Sequence, residues 1–320
     1  MVPERQQTRL RSVRGLGGHS QVASESLSRS MSNTLGTRSG AHHALPDIDR
    51  ADARNPQCVP EYVNDIYAYW RKVEPLYRPS PHYMTHQDSN GKKLQQDINE
   101  KMRAILIDWL VEVHLKFKLL PETLFLTVNL IDRFLAKKPV TRKNLQLVGV
   151  SAMLIASKYE EIWAPEVKDF VYISDKAYTR DQILAMEKYM LNALKFKMTV
   201  PTPYHFLQRW KKAGGVVDRT TEQLAHFLVE ITLPDYTALQ YTGSLVATAA
   251  VYTALRIRGK DCWPVALAKH SGYREEEVRA CAKYLCELHR KAPKASLMAV
   301  HKKYSSSKFL EVAKLPAADL

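Results

Sequence analysis

The sequence predicts an all-α protein, two duplicated helical domains behind an N-terminal arm. Three observations predict it. From Pro60 onward nearly every strong hydrophobic signal recurs with a period of 3.6 residues. No stretch alternates with period two for long enough to argue a sheet. A run of apolar and small residues, Leu147 to Ala156, returns as Leu245 to Ala254. Behind it Trp163 and Trp263, then Tyr178 with Lys188-Tyr189-Met190 and Tyr273 with Lys283-Tyr284-Leu285, follow in the same order, which is what a duplicated domain leaves behind.

Each element has its own signal. Residues 1–58 are rich in Ser, Gly and Arg and hold no aromatic residue, so they cannot bury enough apolar surface to offset their ordering entropy. They are expected to be disordered. Pro60-Glu61 opens an amphipathic stretch through Tyr62, Ile66, Tyr69, Trp70 and Val73. Pro75, Pro79, Pro81 and Ser89-Asn90-Gly91 make 75–96 a connector, so 59–97 reads as an N-terminal helix and its link. Ile98, Met102, Ile105, Leu106, Trp109, Leu110, Val113 and Phe117 then fall on one long helix. Pro121-Glu122 starts the next. Thr141 precedes a third that is apolar almost all round, as befits a helix enclosed by others. Shorter helices are expected near 165–172 and 179–195. Pro201-Thr202-Pro203 ends the first domain at 200 and starts the second, 201–320, which includes a C-terminal extension.

Composition narrows the function classes. With 320 residues, 45% hydrophobic and 25% charged, the chain is neither collagen-like, nor a disulfide scaffold, nor disordered throughout. Lys+Arg 47 against Asp+Glu 33 gives +14, which invites a nucleic acid or an acidic partner. Eight arginines against five acids leave +3 on residues 1–58, so +11 resides in the body. No apolar run approaches a membrane span, so no membrane partner is expected. Cys58, Cys262, Cys281 and Cys286 show neither C-x-x-C nor zinc spacing, which suggests a reducing compartment, no metal and no cofactor.

Signatures of catalysis are missing: no phosphate-cradling Gly loop, no G-x-S-x-G, no H-E-x-x-H. His114, His226 and His289 lie on helical stretches without metal-ligand neighbours and read as surface or interface residues. The chain is therefore expected to be no enzyme and to act by surface recognition. Duplication points to the surface. The first-copy helix ends Ser157-Lys158-Tyr159-Glu160-Glu161, and a later helix carries Glu187; the second copy has Arg256 and Ala282 there. A partner site on one copy, or drift of solvated charges, accounts for this equally well.

Met102-Arg103-Ala104-Ile105-Leu106-Ile107-Asp108-Trp109-Leu110-Val111-Glu112-Val113 resembles the cyclin-box signature. Ala156-Ser157-Lys158-Tyr159-Glu160-Glu161-Ile162 and Pro165-Glu166-Val167 follow in the order that family shows. The resemblance spans about residues 60 to 316. Tyr159, the Trp163-Ala164-Pro165 run and the ending His301-Lys302-Lys303-Tyr304-Ser305 look like a plant-type B (mitotic) cyclin. It implies two tandem five-helix cyclin folds and a regulatory subunit that forms a heterodimer with a cyclin-dependent kinase, activating it around entry into mitosis.

Residue by residue, the resemblance implies a grip on the kinase by Lys158 and Glu187, with Tyr159, Leu154 and Phe196 forming the apolar surface beside it. Taken alone, Tyr159 and Phe196 would read as core packing. Tyr62 and Ile66 match the family's N-terminal helix, which also touches the kinase. Met102, Ile105, Trp109, Glu112, Leu145 and Gln146 match its docking patch for Arg-x-Leu peptides on substrates and inhibitors. Arg103 and Asp132 match a buried ion pair.

The arm departs from the pattern. No arginine in 1–58 has Leu three residues on, no Lys-Glu-Asn occurs, and the first lysine is Lys72. Timed destruction is therefore expected to be impaired or to use other sites. Two rivals remain: a nucleic-acid-binding tandem cyclin fold of the general transcription factor type, and a kinase scaffold that does not activate. Interleaved acids and absent zinc-ribbon cysteines disfavour nucleic acid. Nucleus and cytoplasm are the expected locations.

Overall fold

The computed structural model describes residues 47–87 and 89–320, and among them helices alone make up the architecture. They run α1 (Val63–Tyr77), α2 (Glu100–Phe117), α3 (Pro121–Leu135), α4 (Arg142–Glu160), α5 (Val167–Ile173) and α6 (Arg180–Ala193). Then come α7 (Pro203–Ala213), α8 (Arg219–Glu230), α9 (Gly243–Ile257), α10 (Val265–Ser271), α11 (Glu275–Lys291) and α12 (Ala299–Tyr304).

Local chemistry sets the boundaries. Asn99 accepts the Met102 N–H at 3.0 Å to open α2, and Asp218 and Thr242 do the same for α8 and α9. Pro121 and Pro203 take the first turns of α3 and α7, where a missing N–H costs nothing. Thr179 and Gln182 form a reciprocal capping box at α6.

Two sets of five, α2–α6 and α7–α11, each surround one enclosed helix. In the first, α4 packs against α2, α3, α5 and α6; in the second, α9 packs against α7, α8, α10 and α11. Small residues allow the approach. A Cβ on Gly149 would sit 2.7 Å from a Leu106 methyl, and one on Gly214 would sit 2.7 Å from a Val251 methyl.

Three expectations change. The helix expected from Pro60 starts at Val63, and it runs through Pro75 to Tyr77 instead of ending there. Pro75 lies in the last turn, where it removes one hydrogen bond, and tertiary bonds on both sides hold the turn. Ser244 N–H and Oγ–H donate to Glu74, and Arg78 Nε donates to the Leu239 carbonyl at 3.0 Å. Of the arm expected to be disordered, residues 1–46 lie outside the described residues, so the absent degradation motifs fall there too. Residues 47–58 form two short 3-10 turns pinned to α7, with Asp49 paired to Arg209 and Asp52 to Lys212. Composition missed these partners because they lie about 160 residues away. Finally, His114 and His289 are buried and not surface residues.

The C-terminal extension is a strap. Lys303 Nζ of α12 donates to both oxygens of Glu230 on α8 at 2.7 Å and Tyr304 O–H donates to the same carboxylate, all three residues being buried. Asp108 of α2 accepts the Ala299 N–H at 2.9 Å. The strap thus joins the two five-helix sets.

Candidate partner-binding surface

The end of α4 delivers the residues singled out by the duplication. Lys158 Nζ reaches Glu187 of α6 at 2.7 and 2.9 Å. The lysine side chain is 48% exposed and the glutamate 13%, so the pair lies at the rim with its acid recessed. Both residues were expected to be exposed in the free subunit; Lys158 is, whereas Glu187 is largely covered. Tyr159, about half exposed, bonds Thr199 through its hydroxyl. Phe196 stands 64% exposed because the chain leaves α6 through Lys195 and Phe196, both near φ 53°, a left-handed turn closed by Phe196 N–H to the Leu191 carbonyl. Leu154 does not belong to this surface. It is fully buried, since it points from α4 into the core.

Beyond α4 the loop carries Ile162 and Trp163, about 90% exposed. Sequence reasoning used Trp163 as a repeat marker and as part of the Trp163-Ala164-Pro165 run; its exposure was not readable there, and in the structure Trp263 of the other copy packs edge-on against Tyr252 while Trp163 stands clear. Glu161 turns inward and accepts from Leu120 N–H and Thr123 O–H, capping α3. Burial, then mutual repulsion, raises the carboxyls of Glu122 and Glu160 beside it.

Tyr62 is exposed and Ile66 half-buried at the start of α1. Hydrogen bonds seat this helix on the second five-helix set: Tyr67 O–H donates to the His205 carbonyl and Arg71 to Ser244 Oγ. Arg209, buried on α7, holds Asn64 as well as Asp49.

The α2 patch is partly as expected. Ile105 and Glu112 are exposed, and Met102, Trp109 and Gln146 are half-buried. Leu145 is buried, so it underlies the patch and does not face outward. Arg103 is buried, with Nε 2.6 Å and Nη2 2.7 Å from the two Asp132 oxygens. Tyr83 O–H donates to the same carboxylate, and Arg103 Nη1 reaches the Leu233 and Pro234 carbonyls of the second set. The charge of the pair is satisfied across the domain boundary.

Among the described residues no His, Cys, Asp or Glu group could hold a metal, and no helix is long and apolar enough to cross a membrane.

Comparison with known proteins gives a consistent picture. Family models described as cyclin, N-terminal domain and cyclin, C-terminal domain match residues 65–199 and 201–318. The chain is 50% identical over 273 residues to G2/mitotic-specific cyclin-2 of Medicago sativa, covering 85% of this chain and 80% of that one. It is 49% identical over 267 residues to Cyclin-B2-2 of Oryza sativa subsp. indica and 48% over 277 to Cyclin-B2-4 of Arabidopsis thaliana, covering 83% and 86% of this chain. It spans only 62% of the length of each of these two relatives. Among solved structures, a viral cyclin from herpesvirus saimiri superposes with a TM-score of 0.59 at 21% identity, over 70% of this chain and 97% of that one, which is a likeness of fold.

Proposed function

The chain belongs to the cyclin family, on the side of its plant B-type, G2/mitotic members, and from that premise we propose that it is the regulatory subunit of a cyclin-dependent protein kinase acting at the G2/M transition. The observation that carries the reading is the Lys158–Glu187 pair at the rim of the first domain, flanked by outward-facing Tyr159 and Phe196. Charge at the rim fixes register, and the exposed apolar residues supply contact area. Tyr62 and Ile66 on α1 extend the same contact.

Activation is a shift of population. A cyclin that binds the kinase state with its catalytic Lys–Glu pair assembled stabilises that state by its differential affinity. The half-buried strip of Met102, Trp109 and Gln146 with exposed Ile105 and Glu112 is suited to an extended peptide bearing one Arg and one Leu, so substrates and inhibitors of that type dock on α2. Action in nucleus and cytoplasm is part of the same proposal.

Reconstitution tests it. The full chain mixed with a monomeric mitotic kinase should stimulate phosphorylation of a histone-type substrate by orders of magnitude, and Lys158→Glu should abolish the stimulation with the fold intact. Normal stimulation by a Lys158→Glu, Tyr159→Ala, Phe196→Ala variant removes the interface. Stable binding without stimulation makes the protein a scaffold.

A further inference from the structure

The duplicated copies present opposite charge at one and the same place. Where the enclosed helix of the first copy ends, the chain reads Lys158-Tyr159-Glu160-Glu161; where α9 ends, it reads Arg256-Ile257-Arg258-Gly259-Lys260-Asp261. One base and two acids have become three bases and one acid. Glu187, the partner across the first groove, is replaced by buried Ala282, while the next residue is an exposed lysine in both copies, Lys188 and Lys283. Arg256 and Arg258 are exposed, and neither they nor Lys283 hold a charged partner among the described residues. Lys260 alone is neutralised, by Asp218.

That ion pair also places apolar surface at this end of the domain. It ties the α7–α8 loop, with Val217 90% exposed beside Asp218, to the α9–α10 loop that leads into Val265, 69% exposed. Val217 and Val265 thus lie uncovered on the two segments that this pair ties to the end of α9.

We propose that the α9 end of the second domain is a docking surface for an acidic, Asp/Glu-rich peptide segment of a partner protein, with an apolar residue of that segment on Val217 and Val265. Charge complementarity assigns the sign: two arginines and a lysine without partners gain hydrogen-bonded carboxylates at small desolvation cost because they lie at the surface. The exposed Val217 and Val265 favour a peptide, which can bring an apolar side chain to them, over a nucleic-acid backbone, which offers only phosphate and sugar. The surface lies on the other domain from the kinase contact and stands or falls separately from it.

The test is fluorescence anisotropy with a labelled synthetic peptide of Glu, Asp and Leu, the full chain being the receptor. Arg256→Glu with Arg258→Glu should weaken binding by about tenfold or more, and Val217→Asp should weaken it as well. Lys291→Glu with Lys294→Glu makes the same change in net charge elsewhere on the domain and should leave binding within about twofold of the original. All five positions are exposed, so the thermal midpoint should hold. Equal losses in both double variants, or no binding by the original chain, overturn the proposal. So does a DNA duplex that displaces the peptide with a steep dependence on salt, which assigns the surface to nucleic acid.

Discussion

Arg103 lies on the inward face of α2, where its guanidinium has no water to turn to, and Asp132, Leu233 and Pro234 between them satisfy it. Removing one partner leaves a bare buried charge. Arg103→Ala or Asp132→Ala should cost about 3–5 kcal/mol in urea denaturation. The histidines make a second residue-scale prediction. Burial pushes His205 down to about 4, and burial with the Lys211 and Lys303 cations pushes His226 to about 3. Both are neutral in the fold and near 6.5 when unfolded. Their contribution is complete above that value and declines as pH falls below it, because the unfolded chain then binds more protons. At pH 5.5 each should cost about 1 to 1.5 kcal/mol relative to pH 7.5, read as a drop in thermal midpoint that His226→Gln reduces. At this scale the sequence was legible by residue type but not by side: Leu154 and Leu145 were rightly apolar, yet both point inward, which 3.6-residue spacing does not decide when a helix is enclosed on nearly all faces.

Among the elements, α1 depends most on remote contacts. Its amphipathic spacing was readable, but its passage through Pro75 and the ordering of residues 47–58 rest on groups of α7 and α9. Asp49→Asn with Asp52→Asn should leave buried Arg209 with no carboxylate partner and speed protease cleavage within 47–62, with a measurable loss of global stability because the Arg209 charge stays buried. Unchanged cleavage rates would show that the turns hold themselves. At the exit of α4, the Lys158–Glu187 pair is a rim interaction worth about 0.2–1 kcal/mol to folding. Lys158→Glu with Glu187→Lys restores the internal pair while reversing both charges. The double variant should fold normally by circular dichroism and still fail to bind the kinase, which separates recognition from stability.

For the whole molecule, the strap decides how the duplicated halves are held. Lys303 and Tyr304 close on Glu230 of α8 while Ala299 is bonded to Asp108 of α2. Lys303→Ala strands a buried carboxylate and should cost about 3–5 kcal/mol, measured by thermal or urea unfolding. A near-neutral result would mean that Glu230 takes up a proton or water instead.

Periodicity determined that the chain is helical, punctuation by Pro and by capping residues set most helix starts, and the offset of about 95 to 100 residues exposed the duplication. These are local or self-referential signals, so they survive in one dimension. What only the tertiary structure decided are the pairings between distant residues: Arg209 with Asp49, Lys303 with Glu230, Arg103 with the carbonyls of the other domain, and Lys158 with its own Glu187. A charged residue's partner is chosen by burial, which makes an unpaired charge costly wherever the chain happens to bring it, and sequence distance carries no trace of that choice.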